Sequence, residues 1–273
     1  MMEDKMRIGE KQRKFGLRAA VAMRGNTMRF LRNILKFAPA AAVLALAAMQ
    51  SARADVMYIG DGSDNSLKVF DAATGSFMGT EVKSQGGLHG PRGLLIVEGG
   101  NLLVSDQNVD TSTNGDISLY DSATGKLLNR VVSHDEPNAP GVPRGIITFT
   151  HSRTEIFVAD FSAETQPNKL ATPGRVRAYT AAGEFIGDLT PNDPRVPPDR
   201  YHPRGLVIGP DGKLYVANRP GTGLGGDVLR FNPMTGEFID VFIHDGGGPG
   251  QLNGPEGILL WPGRQTLPDQ LPV

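Results

Sequence analysis

Gly90-Pro91-Arg92-Gly93-Leu94 is one of four copies of a short motif whose recurrence decides the fold. The other copies are Val142-Pro143-Arg144-Gly145-Ile146, His202-Pro203-Arg204-Gly205-Leu206 and Gly254-Pro255-Glu256-Gly257-Ile258. The glycines at their fourth positions are 52, 60 and 52 residues apart. A period of this length is typical of chains built from repeated supersecondary units, so each copy predicts the beginning of one unit.

Three further runs of β-forming residues follow the motif in each unit. The second run ends in an acid or amide, as in Leu102–Asp106, and the third alternates apolar and polar residues, as in Ile117–Tyr120. A turn with glycine, such as Thr124-Gly125, then precedes a fourth apolar run such as Phe238–Phe242. Four short antiparallel strands joined by Gly- and Pro-containing turns are the pattern of a β-propeller blade.

We therefore predict an all-β fold for residues 55–260, a β-propeller of four-stranded antiparallel blades with about four blades present. The unit that begins with Met57-Tyr58-Ile59-Gly60-Asp61 lacks its first strand, and the last unit has only its first strand. Two arrangements stay open: a partial propeller, or a four-bladed ring in which Gly257 to Leu260 supplies the missing inner strand.

The first incomplete unit also carries a family resemblance. Asp61-Gly-Ser-Asp-Asn65-Ser-Leu67-Lys-Val69-Phe70, preceded by Tyr58-Ile59, resembles the core of NHL repeats, and Pro-Arg-Gly resembles the segment that leads into their next strand. The resemblance covers residues 55–260, apart from a longer loop at Phe161 to Gly174. It implies a propeller related to gluconolactonases, streptogramin lyases and pure binding modules, and it specifies architecture rather than function.

Residues 1–54 have the features of a targeting segment. Arg29, Arg32 and Lys36 precede the apolar stretch Phe37 to Met49, and Ala52-Arg53-Ala54 is a small-x-small cleavage site. We predict a signal peptide at 28–54 that begins at Met28, with residues 1–27 a spurious extension. The apolar stretch is 13 residues long, shorter than the roughly 20 that span a bilayer, so export to the periplasm or outside is expected without a permanent membrane anchor.

Removal of this leader changes the charge of the chain. Residues 55–273 hold 17 Lys and Arg against 26 Asp and Glu, a net charge of −9. Such a surface repels phosphate backbones, so nucleic acid is not an expected partner. The absence of cysteine leaves no disulfides and no thiolate metal site, and stability is expected to come from packing.

The repeat pattern ends abruptly at Trp261. When possible codons for Trp261 to Leu271 are read with the first base dropped, they can encode Gly-Pro-Asp-Gly-Lys-Leu-Tyr, which matches Gly209–Tyr215 in the preceding unit. We therefore expect residues 261–273 to be an out-of-frame tail, with further blades lost downstream.

Residues repeated once per blade near the channel of a propeller are the candidate site. Arg92, Arg144, Arg204 and Glu256 hold equivalent places just before the inner strand, and His89 and His202 lie beside two of them. Guanidiniums around a channel mouth suit an anionic ligand. The alternative is structural, with each arginine bonding carbonyls or an acid of the neighbouring blade.

A second repeated set ends the second strand of each unit, namely Asp61, Asp106, Asp160 and Asn218. Oxygen ligands of this type would bind a hard divalent cation such as calcium if they converged. The alternative is that each side chain caps a turn by accepting bonds from nearby backbone amides.

Two functions follow from these sites. The first is an extracytoplasmic, non-catalytic scaffold that binds a protein or a small-molecule ligand. The second is a metal-assisted lactonase or lyase like the gluconolactonases and streptogramin lyases, inactive in the truncated chain. Convergence of carboxylates from different blades on one point would favour the enzyme, because a metal-assisted mechanism needs several ligands and an open position.

Overall fold

The structure is a computed structural model that describes residues 55–83, 86–111, 113–162, 172–220, 225–244 and 251–260. The described residues lie almost entirely in one compact unit, Val56–Val273. The predicted extension, signal peptide and out-of-frame tail lie outside the described residues. Across the described ranges, no helix combines the length and the apolar character needed to cross a membrane.

The described residues form fifteen β-strands and one 3-10 turn at Pro198–Arg200, which confirms the predicted all-β fold. The strands are β1 Val56–Asp61, β2 Ser66–Asp71, β3 Phe77–Val82, β4 Pro91–Ile96, β5 Leu102–Asp106, β6 Asp116–Tyr120, β7 Leu127–Val132, β8 Pro143–Thr150, β9 Thr154–Asp160, β10 Arg175–Thr180, β11 Phe185–Leu189, β12 Pro203–Ile208, β13 Leu214–Asn218, β14 Asp227–Phe231 and β15 Phe238–Ile243.

These strands form four antiparallel sheets, which are the blades of a propeller. Three blades have four strands in chain order, β4 to β7, β8 to β11 and β12 to β15, and the first has the three strands β1 to β3. The inner strands β4, β8 and β12 begin with the repeated motif, and β8 contacts both β4 and β12. We call these the first blade (β1–β3), second blade (β4–β7), third blade (β8–β11) and fourth blade (β12–β15).

The core consists of three apolar clusters, each formed between neighbouring blades. Leu67 and Val82 of the first blade pack with Leu102, Val104 and Tyr120 of the second. Corresponding clusters join the second blade to the third and the third to the fourth. The second and third sheets therefore bury both faces against their neighbours, which explains why the strand β5 is buried along its whole length.

The motif glycines allow the inner strands to approach closely. A Cβ atom on Gly145 would lie 2.6 Å from the carbonyl oxygen of Arg204 in the next blade, and one on Gly205 would lie 2.8 Å from that of Glu256. Only glycine fits these contacts without movement of the backbone. The fourth motif copy is therefore seated beside β12 as β12 is seated beside β8.

Of the two arrangements that the sequence left open, the ring in which Gly257 to Leu260 completes the first blade is not formed in the described part of the chain. Residues 257–260 are not in a strand, β1 pairs only with β2, and Leu259 is 82% exposed. The fourth motif copy instead contacts the fourth blade, because Pro255 packs on Gly226 and Glu256 binds Arg204.

Candidate ligand-binding site at the channel mouth

A cavity of about 400 Å³ lies where the inner strands meet, and the four motif copies line it. The lining residues are Arg92, Gly93, Leu94, Arg144, Gly145, Ile146, Arg204, Gly205, Leu206, Glu256, Gly257 and Ile258. The structure thus brings the predicted mouth residues Arg92, Arg144, Arg204 and Glu256 to one cavity. We call Arg92, Arg144 and Arg204 the mouth arginines.

A break in strand register places each mouth arginine. The pairing of the inner strand with the second strand shifts after Pro91, after Pro143 and after Pro203, just where the arginine follows. Such bulges re-aim a side chain at the end of a sheet. The Pro-Arg-Gly sequence therefore does two things: it interrupts the ladder and it points a guanidinium towards the cavity.

Arg92 and Arg204 each have a polar partner. The Nε of Arg92 donates to Oε1 of Gln107 at 2.8 Å, and an Nη of Arg204 lies 3.4 Å from a carboxylate oxygen of Glu256. Glu256 also pairs with Arg219. The ion pair between Arg204 and Glu256 agrees with the structural alternative, in which each arginine binds carbonyls or an acid of the neighbouring blade.

Arg144 differs from the other mouth arginines, because it forms no ion pair among the described residues and its buried Nε has no hydrogen-bond partner. Its Cζ lies 5.6 Å from the ring centroid of Phe161, and the same ring holds the Cζ of Arg204 at 4.0 Å. Burial, with added repulsion from Arg204 and Arg92, lowers the pKa of Arg144 to about 9. Burial likewise lowers the pKa of Arg204, whose Nε is also buried without a partner.

Three residues that contact the mouth arginines or Glu256 were not found by sequence reasoning. Gln107, Phe161 and Arg219 each directly follow the acid or amide that ends the second strand of their blade. Gly62 holds the same position in the first blade, where the Arg92 guanidinium lies against it. Only their shared position, directly after the acid or amide that ends the second strand, could have identified these residues. The residue type at this position differs from blade to blade.

The acids and amide that end the second strands accept hydrogen bonds from backbone N–H groups. Asp106 accepts the backbone N–H of His89 at 2.6 Å, and Asn218 accepts that of His202 at 2.7 Å. Asp160 accepts two backbone N–H groups, from Gly141 and Val142. We call Asp106, Asp160 and Asn218 the cap residues, because each ties the segment before an inner strand to the second strand of its own blade.

Burial acts on the charged cap residues. It raises the pKa of Asp106 to about 6, and the backbone bond from His89 opposes it only in part. It also raises the pKa of Asp160, against the bonds from Val142 and Gly141 and the charge of Arg175. Asp61 ends β1 and is bound instead by Lys68 and by the backbone N–H of Ser63.

The structure does not bring the predicted metal ligands together. Within the described ranges, no three His, Asp or Glu side chains are grouped so that they could hold a metal ion. The two predicted histidines also differ from each other. The side chain of His89 is 40% exposed and its Nδ1 lies 2.8 Å from Asp110, whereas His202 is 1% exposed and its Nδ1 lies 2.8 Å from the carbonyl oxygen of Phe161.

Fold and site together define a β-propeller with a basic cavity at its channel mouth. Neither a family model nor a curated protein matches the sequence. Among solved structures, the chain is similar to the hydrazine synthase of Kuenenia stuttgartiensis, with 18% identity, a TM-score of 0.49, and coverage of 70% of this chain and 46% of that one. It is also similar to the Dos1 propeller, with 14% identity, a TM-score of 0.44, and coverage of 70% and 46%.

A third similar structure is provisionally named a gluconolactonase, with 12% identity, a TM-score of 0.46, and coverage of 76% of this chain and 71% of that one. The chain spans about half the length of the first two structures. At these identities the similarity concerns the fold and carries no conclusion about activity.

Proposed function

We propose that the protein is an exported, non-catalytic propeller that binds a small anionic ligand in the channel-mouth cavity. One observation carries the proposal: among the described residues Arg144 has no ion pair, and its buried Nε has no hydrogen-bond partner. The predicted signal peptide at 28–54 is the support for export.

Burying the charge of Arg144 costs free energy. A buried cation without a counter-charge destabilises the folded protein, and the cost falls when an anion binds beside it. Arg144 also feels repulsion from Arg204 and Arg92 across the cavity. An anion in the cavity would offset burial and repulsion together, so the free protein is poised to gain stability from a ligand.

The size and charge of the chain favour a small ligand. The cavity measures about 400 Å³, which lies within the range of small-molecule sites. Residues 55–273 carry a net charge of −9, so a long polyanion would be repelled outside the cavity.

The enzyme alternative called for carboxylates from different blades at a single point. Asp106 and Asp160 instead accept backbone N–H groups within their own blades. This observation favours binding over metal-assisted chemistry as the proposed role.

Thermal unfolding in the presence of anions tests the proposal. The melting temperature of the protein is measured with sodium phosphate, acetate or hexanoate at constant ionic strength. A ligand at about 100 times its Kd adds about 2.7 kcal/mol, which corresponds to a rise of roughly 5 to 10 °C for a domain of this size. Arg144→Met should abolish the rise.

Arg195→Gln is the matched control, because Arg195 is 48% exposed, pairs with Asp193 and does not line the cavity. It should respond as the unchanged protein does. Equal rises in the unchanged protein and in Arg144→Met would contradict the proposal, and so would no rise with any of the three anions.

A further inference from the structure

The geometry points to a ligand with a single acidic group and an aliphatic body, a small monocarboxylate, with Glu256 as the residue that excludes ligands carrying a second acid. This inference rests on the proposed anion site and names the ligand class that fits it. Two observations support it. Some charged side chains at the channel mouth already have a partner of opposite charge and others do not, and aliphatic side chains lie beside them.

Glu256 occupies the motif position that holds arginine in the other three copies. Its carboxylate lies 3.4 Å from Arg204 and pairs with Arg219 as well. One carboxylate of the chain thus already sits where an acid of the ligand would bind on that side. The negative charge of Glu256 would also repel any second carboxylate that approached Arg204.

Two of the mouth arginines, Arg92 and Arg144, form no ion pair with a carboxylate of the described residues. Arg92 donates to the neutral amide of Gln107, and Arg144 has no ion pair in the described part of the chain. Both residues line the same cavity. One carboxylate between them would receive charge-assisted hydrogen bonds from both.

Beside the arginines the cavity wall is aliphatic. Two residues after each motif arginine or glutamate, the lining side chains are Leu94, Ile146, Leu206 and Ile258. An alkyl chain attached to the bound carboxylate would lie against this wall and lose contact with water. A second carboxylate at the far end of the ligand would meet either these side chains or Glu256, and both contacts are unfavourable.

Hexanoate and adipate form a matched pair of probes, because both have six carbons and adipate differs by one additional carboxylate. Isothermal titration of the protein should show hexanoate binding about tenfold more tightly than adipate. Across acetate, butyrate and hexanoate the affinity should rise by about fourfold per methylene group until the cavity is filled.

Glu256→Gln tests the role of the glutamate directly, since it frees Arg204 and Arg219 for a second acid. Adipate should gain about tenfold in affinity, as expected for a hydrogen bond to a charged group, while hexanoate changes little. Glu237→Gln is the charge-matched control, because Glu237 is exposed on the β14–β15 turn and does not line the cavity. It should leave the ratio of the two affinities unchanged.

The outcomes separate this inference from the proposed function. Binding of phosphate or acetate with no gain from hexanoate, or an adipate-to-hexanoate ratio that Glu256→Gln does not move, overturns the ligand class and leaves the anion site standing. No binding of any anion overturns both.

Discussion

The cap residues Asp106, Asp160 and Asn218 and the mouth arginines Arg92, Arg144 and Arg204 lie at the same ends of the same three blades, but their polar atoms are used differently. Each cap residue pairs in register with the proline that precedes a mouth arginine. The cap side chains are at most 1% exposed, and each accepts at least one backbone N–H. The Nε atoms of Arg144 and Arg204, in contrast, are buried and have no hydrogen-bond partner among the described residues.

The difference separates structural residues from candidate functional ones. A buried polar group whose bonds are all made inside the protein stabilises the fold, and its loss is costly. A buried charge whose bonds are not made inside the protein costs stability unless something else binds it. The comparison therefore predicts that removing the hydrogen-bond acceptor of a cap residue destabilises the protein, whereas removing the charge of Arg144 stabilises it.

Asp160→Ala should have the largest effect. It leaves the buried N–H groups of Gly141 and Val142 without an acceptor, which should lower the free energy of unfolding by about 3 kcal/mol. Asp160→Asn keeps one acceptor oxygen and removes the buried charge, so it should cost less stability than Asp160→Ala. Urea denaturation at pH 7 measures both changes.

Asp211→Ala is the control for this pair, since Asp211 is exposed and bonds within its own turn. It should change stability by less than about 0.5 kcal/mol. Equal stability of Asp160→Ala and the unchanged protein would show that the cap is not a structural tie.

Asp106→Asn should have the next largest effect, with the opposite sign at neutral pH. The folded pKa of Asp106, about 6, lies above the usual value near 4 of an unfolded chain, so the folded state binds this proton more tightly. The contribution of Asp106 to stability therefore falls as the pH rises from about 4 to about 6. The variant has no proton to lose, and it should be more stable than the unchanged protein by about 2 kcal/mol at pH 7 and equal to it near pH 4.

The fourth blade already carries this substitution, because Asn218 accepts the N–H of His202 and donates to Asp227 across the strand pair. Asp121→Asn is the control with the reverse pH dependence, since hydrogen bonds from Thr124 lower the pKa of Asp121. A stability difference between Asp106→Asn and the unchanged protein that stays constant from pH 4 to 7 would contradict the burial effect.

Arg144→Met should have the smallest effect on the ligand-free protein. In a buffer without anions that bind, it should raise the free energy of unfolding by about 1 kcal/mol. The substitution removes a desolvated charge and keeps a side chain of similar length. Chemical denaturation in that buffer provides the measurement. If the free energy of unfolding instead fell by about 1 kcal/mol or more, Arg144 would stabilise the fold as the cap residues do.

The recurrence of Pro-Arg-Gly was enough to predict the blades, because the proline and glycine determine where each inner strand begins and how closely it packs. The same recurrence predicted that Arg92, Arg144 and Arg204 share one cavity. The contacts of Gln107, Phe161 and Arg219 escaped prediction, because their residue types differ between blades. The missing ion pair of Arg144 depends on distances between blades that no residue pattern encodes.

The sequence also could not predict whether the fourth motif copy lies close enough to β1 to pair with it. Its sequence Gly257-Ile258-Leu259-Leu260 matches an inner strand, yet in the described residues it does not pair with β1. Strand pairing requires the partner strand within hydrogen-bond reach, and similarity to the other copies does not supply that.

A bromide soak tests the central claim most directly, because bromide is a small anion that anomalous diffraction can locate. In crystals of the protein, the account predicts an anomalous peak inside the channel-mouth cavity, in contact with the guanidiniums of Arg144 and Arg92. The same soak of Arg144→Met should lack that peak. Bromide at exposed cations such as Arg195, with none in the cavity of the unchanged protein, would contradict the account.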